Sequence, residues 1–195
     1  RGKIPNAQLY NAKTSIYDIA ATTFKPLMLH EHFRCVPEII GFSNMLSYDY
    51  QIKPLREASS SNLLPAVVNY RVDAGQRDGK NKSNLPEAKA IVALMRACME
   101  QPEYVGKTFG VISLLGDEQY QLIQKEMDAS ISPKEIMHRN ILCGNSANFQ
   151  GDERDVIFLS LVDSKDIDNP GPLHLQNYGV DDSTRKRYNV AVSRA

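Results

Sequence analysis

Residues 155–162, DVIFLSLV, are apolar on both of the faces a strand would present. A strand of this kind has no polar side to turn to water. Both faces need cover, which calls for a mainly parallel sheet with helices on each side. The run follows a polar, glycine-containing stretch, FQGDERD, that reads as a tight turn. We therefore expect 155–162 to be the central strand of a layered α/β domain.

The rest of the chain alternates accordingly. LMLH (27–30), AVVNYRV (66–72), KTFGVISLL (107–115) and RNILCG (139–144) read as further strands. Residues 37–48 place Ile39, Ile40, Phe42, Met45 and Leu46 on one helical face. Asn84, with Glu87 three residues on, signals a helix start and a partial capping box. Ala88, Ile91, Val92, Met95 and Cys98 then recur at helical spacing. Residues 116–128 give the next helix, and Ser132, Pro133 and Glu135 open a short one. Residues 75–83 and 163–184 are polar and aperiodic, and read as loops. The final residues read as a turn entering a helix. A chain of 195 residues is one domain's worth.

Basic and acidic residues balance at 23 each, so bulk charge names no partner, and a local basic groove remains possible. Cys35, Cys98 and Cys143 are odd in number and far apart, with no CxxC pair. That argues against a zinc ribbon or a disulfide framework, and for a reducing, cytoplasmic setting. No apolar run approaches the ~20 residues of a membrane span. The opening RGKIPNAQLYNAK has no apolar stretch behind its charges, so it is not a signal peptide, and it reads as an interior segment.

Four segments carry chemistry. LMLHEHFRCVPEIIGFSN (27–44) places Phe33 beside Arg34. A flat ring can stack on a base, and a guanidinium can grip phosphate oxygens with paired hydrogen bonds. GVISLLGDEQYQLIQ (110–124) sets Ser113 at a strand end and Gln119 at a helix start. The C-terminal ends of strands in an open parallel sheet are where ligands collect. CGNSANFQGDERDVIFLS (143–160) carries Asn145, Gln150, Gly151, Asp152 and Glu153 ahead of the apolar strand. RKRYNVAVSRA (185–195) carries Arg185, Lys186, Arg187 and Arg194. Each alone has a plain reading as packing, a turn or a solvated charge.

In this order and spacing, the four segments resemble motifs IV, IVa, V and VI of superfamily 1B helicases. That group contains the nonsense-decay and Okazaki-fragment helicases, and EHFRC and FQGDERDVIFLS look most like its large bacterial members. The resemblance implies a RecA-like three-layer α/β domain over 27–195, the second motor domain (2A), with 1–26 as a lead-in. It implies that Arg34 and Arg194 are arginine fingers for ATP bound with Mg²⁺ at the interface with a first RecA-like domain. Phe33, Gln150, Gly151 and Glu153 are then nucleotide-facing, with Glu153 matching a carboxylate that accepts from the ribose. Ser113, Gln119, Asn145 and Arg187 are expected to face single-stranded nucleic acid, DNA or RNA. The family usually has Tyr at Phe33, Thr at Asn145 and Asp at Ala147.

No phosphate-binding loop, G-x-x-x-x-G-K-[ST], stands in the chain. GQRDGKN (75–81) is one residue short and ends in Asn. Gly106-Lys107-Thr108 has Gln101 where the first glycine belongs. Asp152-Glu153 precedes its apolar strand, whereas a Walker B pair follows one. His30 and His32 flank Glu31 with no third ligand in evidence, so no metal site is expected. A second class stays open: a docking module derived from a helicase domain, without catalysis, supported by the departures at Asn145 and Ala147. A self-contained Rossmann enzyme needs a glycine-rich turn near its start, and none is present.

Overall fold

A computed structural model of the chain describes residues 5, 7–12, 14–57, 63–78, 82–164 and 182–195. It divides into two units, residues 1–30 and 31–195. The first holds a 3-10 turn, Ala7–Leu9, and a short helix α1, Ile16–Ala21. Ser15 caps α1: its Oγ accepts from the Asp18 N–H, while the Asp18 carboxylate accepts from the Ser15 N–H. Residues 27–30 were expected to be a strand and are not one. Leu27 and Leu29 are exposed, and none of the described residues pairs with their backbone in a ladder.

The second unit begins with β1, Glu31–His32, which pairs in parallel with β2, Lys53–Pro54. Between them runs α2, Pro37–Ser47, opened by a proline at its first position. The main sheet is parallel and ordered β4-β3-β5, where β3 is Phe109–Ser113, β4 Leu142–Asn145 and β5 Val156–Ser160. Helices α3 (Leu85–Met99), α4 (Asp117–Ser130), α5 (Pro133–His138) and α6 (Asp182–Val192) complete it. The fold is mixed α/β with parallel strands flanked by helices, as expected of a RecA-like domain.

Alternation along β3 explains the layers. Phe109 and Val111 join Ala88, Ile91, Val92 and Met95 of α3 and Ile123 and Met127 of α4 in one core. Ile112, on the other face, packs with Leu114, Phe149 and Ala191 of α6, against Ile157 and Leu159. Gly110 lies under this second layer. A Cβ there would stand 2.6 Å from Ile157 Cδ1 and 2.8 Å from Phe149 Cε1, so only glycine lets Phe149 seat.

Three expectations need correction. The central strand is β3, buried along its whole length, while β5 borders β3 alone among the described residues and is half-buried. Apolar residues on two faces report cover on two faces, and both strands have it; they do not report position in the sheet. Residues 66–72 form no strand, and Val67, Val68 and Tyr70 stand exposed, because β-branched residues make a strand only where a ladder partner is present. The stretch around residues 185–187 is already inside α6 rather than in a turn before it. The expected loop at 163–184 falls mostly on residues 165–181, outside the described residues.

The start of α3 grips the end of β5. Asn84 Oδ1 accepts from the Glu87 N–H, as a cap should. Glu87 does not reciprocate on Asn84. Its Oε1 accepts from the backbone N–H of Leu161 and Val162, at 2.9 and 3.2 Å, while Asn84 Nδ2 donates to the Val162 carbonyl. Val162 is fully buried at φ 65°, a conformation disfavoured for a β-branched side chain, so these bonds hold the chain where local preference does not.

Burial pushes the Glu87 carboxyl above its ordinary 4.5, against the Val162 and Leu161 N–H groups, which pull it down. The native state therefore binds a proton more readily than the unfolded chain does. This contribution to stability is fullest below pH 4.5 and is lost as pH rises through the raised native value. Glutamine keeps an oxygen for both N–H groups and cannot ionise. Glu87→Gln is expected to gain stability relative to wild type as pH rises from 4.5 to 8, and to match or exceed it at pH 8. Denaturant titrations across that range check this; a difference between the two proteins that stays constant with pH contradicts it.

Candidate nucleotide-facing site

Arg34 lies between β1 and α2, and Glu153 and Arg154 lie just ahead of β5. The structure brings the EHFRC segment to the FQGDERD segment: Arg34 Nε pairs with Glu153 Oε2. Arg34 Nη1 also makes a long, 3.4 Å contact to the carbonyl of Ser193, the residue after α6. Its own carbonyl accepts from Arg56 Nη1 at 2.6 Å. Phe33 beside it is 70% exposed, so the ring is presented to solvent rather than to the core. Cys35 is fully buried, and burial pushes its thiol up to about 11, which leaves it an inert packing residue. His32 accepts from the Cys35 N–H through Nε2 at 3.0 Å. Burial, and then the Arg34 charge, lower its pKa, which favours the neutral ring.

Arg194 follows α6 and turns back on the same region. Its Nε donates to the Val190 carbonyl at 2.9 Å. Its Nη1 reaches the carbonyls of Phe149 and Asp152 only at 3.4 and 3.5 Å. Burial, and then the neighbouring Arg34 charge, lower its pKa. The two guanidiniums thus lie close enough to repel each other, with Glu153 paired to Arg34. An anionic oxygen placed there would relieve their repulsion, so the residues fit a phosphate group. α2 and α6 hold the arrangement: they pack together, and Asn189 Nδ2 donates to the Tyr48 hydroxyl at 2.9 Å.

Gly151 adopts φ 84°, as the turn before Glu153 requires. Gln150 is exposed, and its backbone N–H closes a turn on the Ala147 carbonyl.

The remaining expected residues lie elsewhere. Ser113 pairs in register with Asn145 and Ser160, so the three stand abreast at the C-terminal ends of β3, β4 and β5. The Ser113 hydroxyl donates within its own loop, to the Leu115 and Gly116 carbonyls. Asn145 Nδ2 donates to Asp117, and its Oδ1 accepts from the N–H groups of Ala147 and Asn148. Gln119 is fully buried. Its Oε1 accepts from the Asn84 N–H, and its Nε2 donates to the Asn84 carbonyl and to Ser160. The structure gives it the work of a clamp between α3, α4 and β5, and does not bring it to the surface. Arg187 is exposed on α6.

Two buried arginines went unnoticed in the sequence. Arg154 is 7% exposed and Arg139 is 8% exposed. A cation two residues before an apolar strand, or directly after a short helix, is the only signal that could have marked them.

The sequence pattern of the AAA domain family matches residues 12–195. The chain belongs to that family. It is also 27% identical over 179 residues to an uncharacterized ATP-dependent helicase of Mycoplasma pneumoniae. It is 28% identical over 179 residues to one of Mycoplasma genitalium. Each alignment covers 86% of this chain and 15% of the relative, so the chain spans about a seventh of the length of either protein.

Proposed function

We propose that this domain is the second motor domain of a superfamily 1 helicase or translocase, working with a first RecA-like domain of the same polypeptide. The observation that carries the reading is the Arg34–Glu153 pair with Arg194 beside it, Arg34 touching the Ser193 carbonyl and Arg194 the Asp152 carbonyl. The first domain would supply the phosphate loop, the Mg²⁺ ligands and the catalytic glutamate, and ATP would sit in the cleft between the two. Arg34 and Arg194 reach the terminal phosphate and neutralise charge that grows in the transition state. Glu153 accepts from the ribose and Phe33 stacks on the base, with Gln150 and Gly151 shaping the turn beneath them. Both arginines ride on this domain, so they engage only when the cleft closes. Closure and reopening move the domain along nucleic acid. The similarity to two ATP-dependent helicases supports this reading.

Single-stranded nucleic acid is the partner, met by Ser113 and Asn145 at the strand ends and by Arg187. No such contact is proposed for buried Gln119. Contacts of this kind address phosphates and carry no base information. Binding by the polypeptide that holds both domains is therefore expected to tolerate sequence, favour single strands over duplex, and weaken as salt rises. Titration with single-stranded and duplex oligonucleotides at two salt concentrations tests this. Tight, salt-insensitive binding to one duplex contradicts it and favours a docking module.

A further inference from the structure

Arg154 is a buried cation on a mostly exposed turn, and its guanidinium ties the loop that carries Glu153 to Asn140, while its backbone N–H donates to the Arg194 carbonyl at 3.0 Å. Nε donates to the Asn140 carbonyl at 2.6 Å, which anchors the side chain at the entry to β4. Nη1 donates to Asp152 Oδ1 at 2.5 Å and to the Glu153 carbonyl at 2.6 Å; Nη2 reaches Asp152 Oδ2 at 3.4 Å. The guanidinium holds the Asp152 carboxyl below its ordinary pKa, chiefly by hydrogen bonding. Asp152 Oδ1 accepts in turn from the Glu153 N–H at 3.0 Å. Glu153 is thus fixed from both sides of its own backbone.

The pair that Glu153 makes with Arg34 contributes little to stability. The side chains are 36% and 62% exposed, and water screens such a pair strongly. Its consequence is orientation. With Nε engaged by Glu153, Nη1 makes a long, 3.4 Å contact to the Ser193 carbonyl, which a stronger acceptor could replace.

We propose that Arg154 is a positioning residue for Arg34: it locks the turn at 151–153 so that Glu153 presets the Arg34 guanidinium for an anionic ligand. The assignment of that ligand as ATP rests on the function proposed above; the positioning itself does not. Lysine at 154 keeps the charge but cannot span Asn140, Asp152 and the Glu153 carbonyl at once.

Two readouts test it. In the 195-residue chain, the Arg34 Nε–H signal in a proton–nitrogen correlation spectrum, assigned with Arg34→Lys, is expected to move in Arg154→Lys toward its position in Glu153→Gln. In the polypeptide that holds both domains, Arg154→Lys is expected to lower kcat for ATP about 10-fold, as misplacing a catalytic group does, with KM changing less than about 3-fold. In an Arg34→Ala background, the same substitution is expected to cost nothing further. An Arg34 signal that stays in place, an unchanged kcat, or the same fold loss in both backgrounds overturns the proposal. If Arg34→Ala itself leaves kcat unchanged, the arginine-finger reading fails, and the spectrum still decides whether Arg154 positions Arg34. Should Arg154→Lys fail to fold, Asp152→Asn, on an exposed partner of the same lock, is expected to move the signal and kcat in the same direction and is read by the same criteria.

Discussion

Arg194→Ala is expected to lower kcat for ATP by at least ~10³ in the polypeptide that holds both domains, the lower end of arginine-finger effects. That factor corresponds to about 4 kcal/mol of transition-state stabilisation. Nucleotide affinity is expected to change much less, because the charge Arg194 meets is greatest in the transition state. The side chain is loosely held at its tip. Only its Nε bond to the Val190 carbonyl is short; the Nη1 contacts at 3.4 and 3.5 Å lie at the outer edge of hydrogen bonding. A phosphate oxygen is a stronger acceptor than either carbonyl. Arg194→Lys keeps the charge without the fork and is expected to recover only part of the loss. Steady-state kinetics with a parallel nucleotide-binding measurement checks this, and near-normal turnover by Arg194→Ala refutes the assignment.

The largest effect on stability is expected from Arg139→Ala. Arg139 pairs with Glu135 one helical turn back. Its Nη1 and Nη2 donate to the carbonyls of Tyr104 and Met99, at 2.7 and 3.1 Å. Its guanidinium also lies 5.5 Å from the centre of the Phe109 ring, at the start of β3. One side chain thus ties the end of α3, the turn after it and α5 to the central strand. Removing it strands two carbonyls and leaves a hole beside Phe109. The cost is about 3 kcal/mol, discounted because Glu135 keeps contact with water. For a domain of this size that lowers Tm by roughly 10 °C. Circular dichroism melts of the chain decide it: a shift of less than about 2 °C contradicts the role given to Arg139.

How much of this was legible depends on whether an interaction is local. The α3 start was readable, because Asn84 capping the Glu87 N–H is a three-residue event. The Glu87 carboxylate was not, because it binds Leu161 and Val162, more than seventy residues away. The apolar runs of β3, β4 and β5 announced a sheet covered on both faces, but their order in it depends on pairing that no run encodes. The expected strands at 27–30 and 66–72 have the right residue types and lack a ladder. At the site, the resemblance to helicase motifs singles out Arg34, Glu153 and Arg194, and the structure pairs Arg34 with Glu153 and sets Arg194 near them. Gln119 also sits in a motif, yet its amide is spent on Asn84 and Ser160. A motif gives a residue's place along the chain; burial decides what its side chain is left to do.

The central claim is that this domain carries arginines for an active site completed by another domain. Steady-state ATP hydrolysis by the purified 195-residue chain, alone and then with added phosphate-loop domain, tests it most directly. The chain holds no phosphate loop, so it is expected to show no turnover alone and to support turnover only with that domain, in a manner that Arg34→Ala and Arg194→Ala abolish. Sustained hydrolysis by the chain alone, or stimulated hydrolysis indifferent to both arginines, contradicts the account.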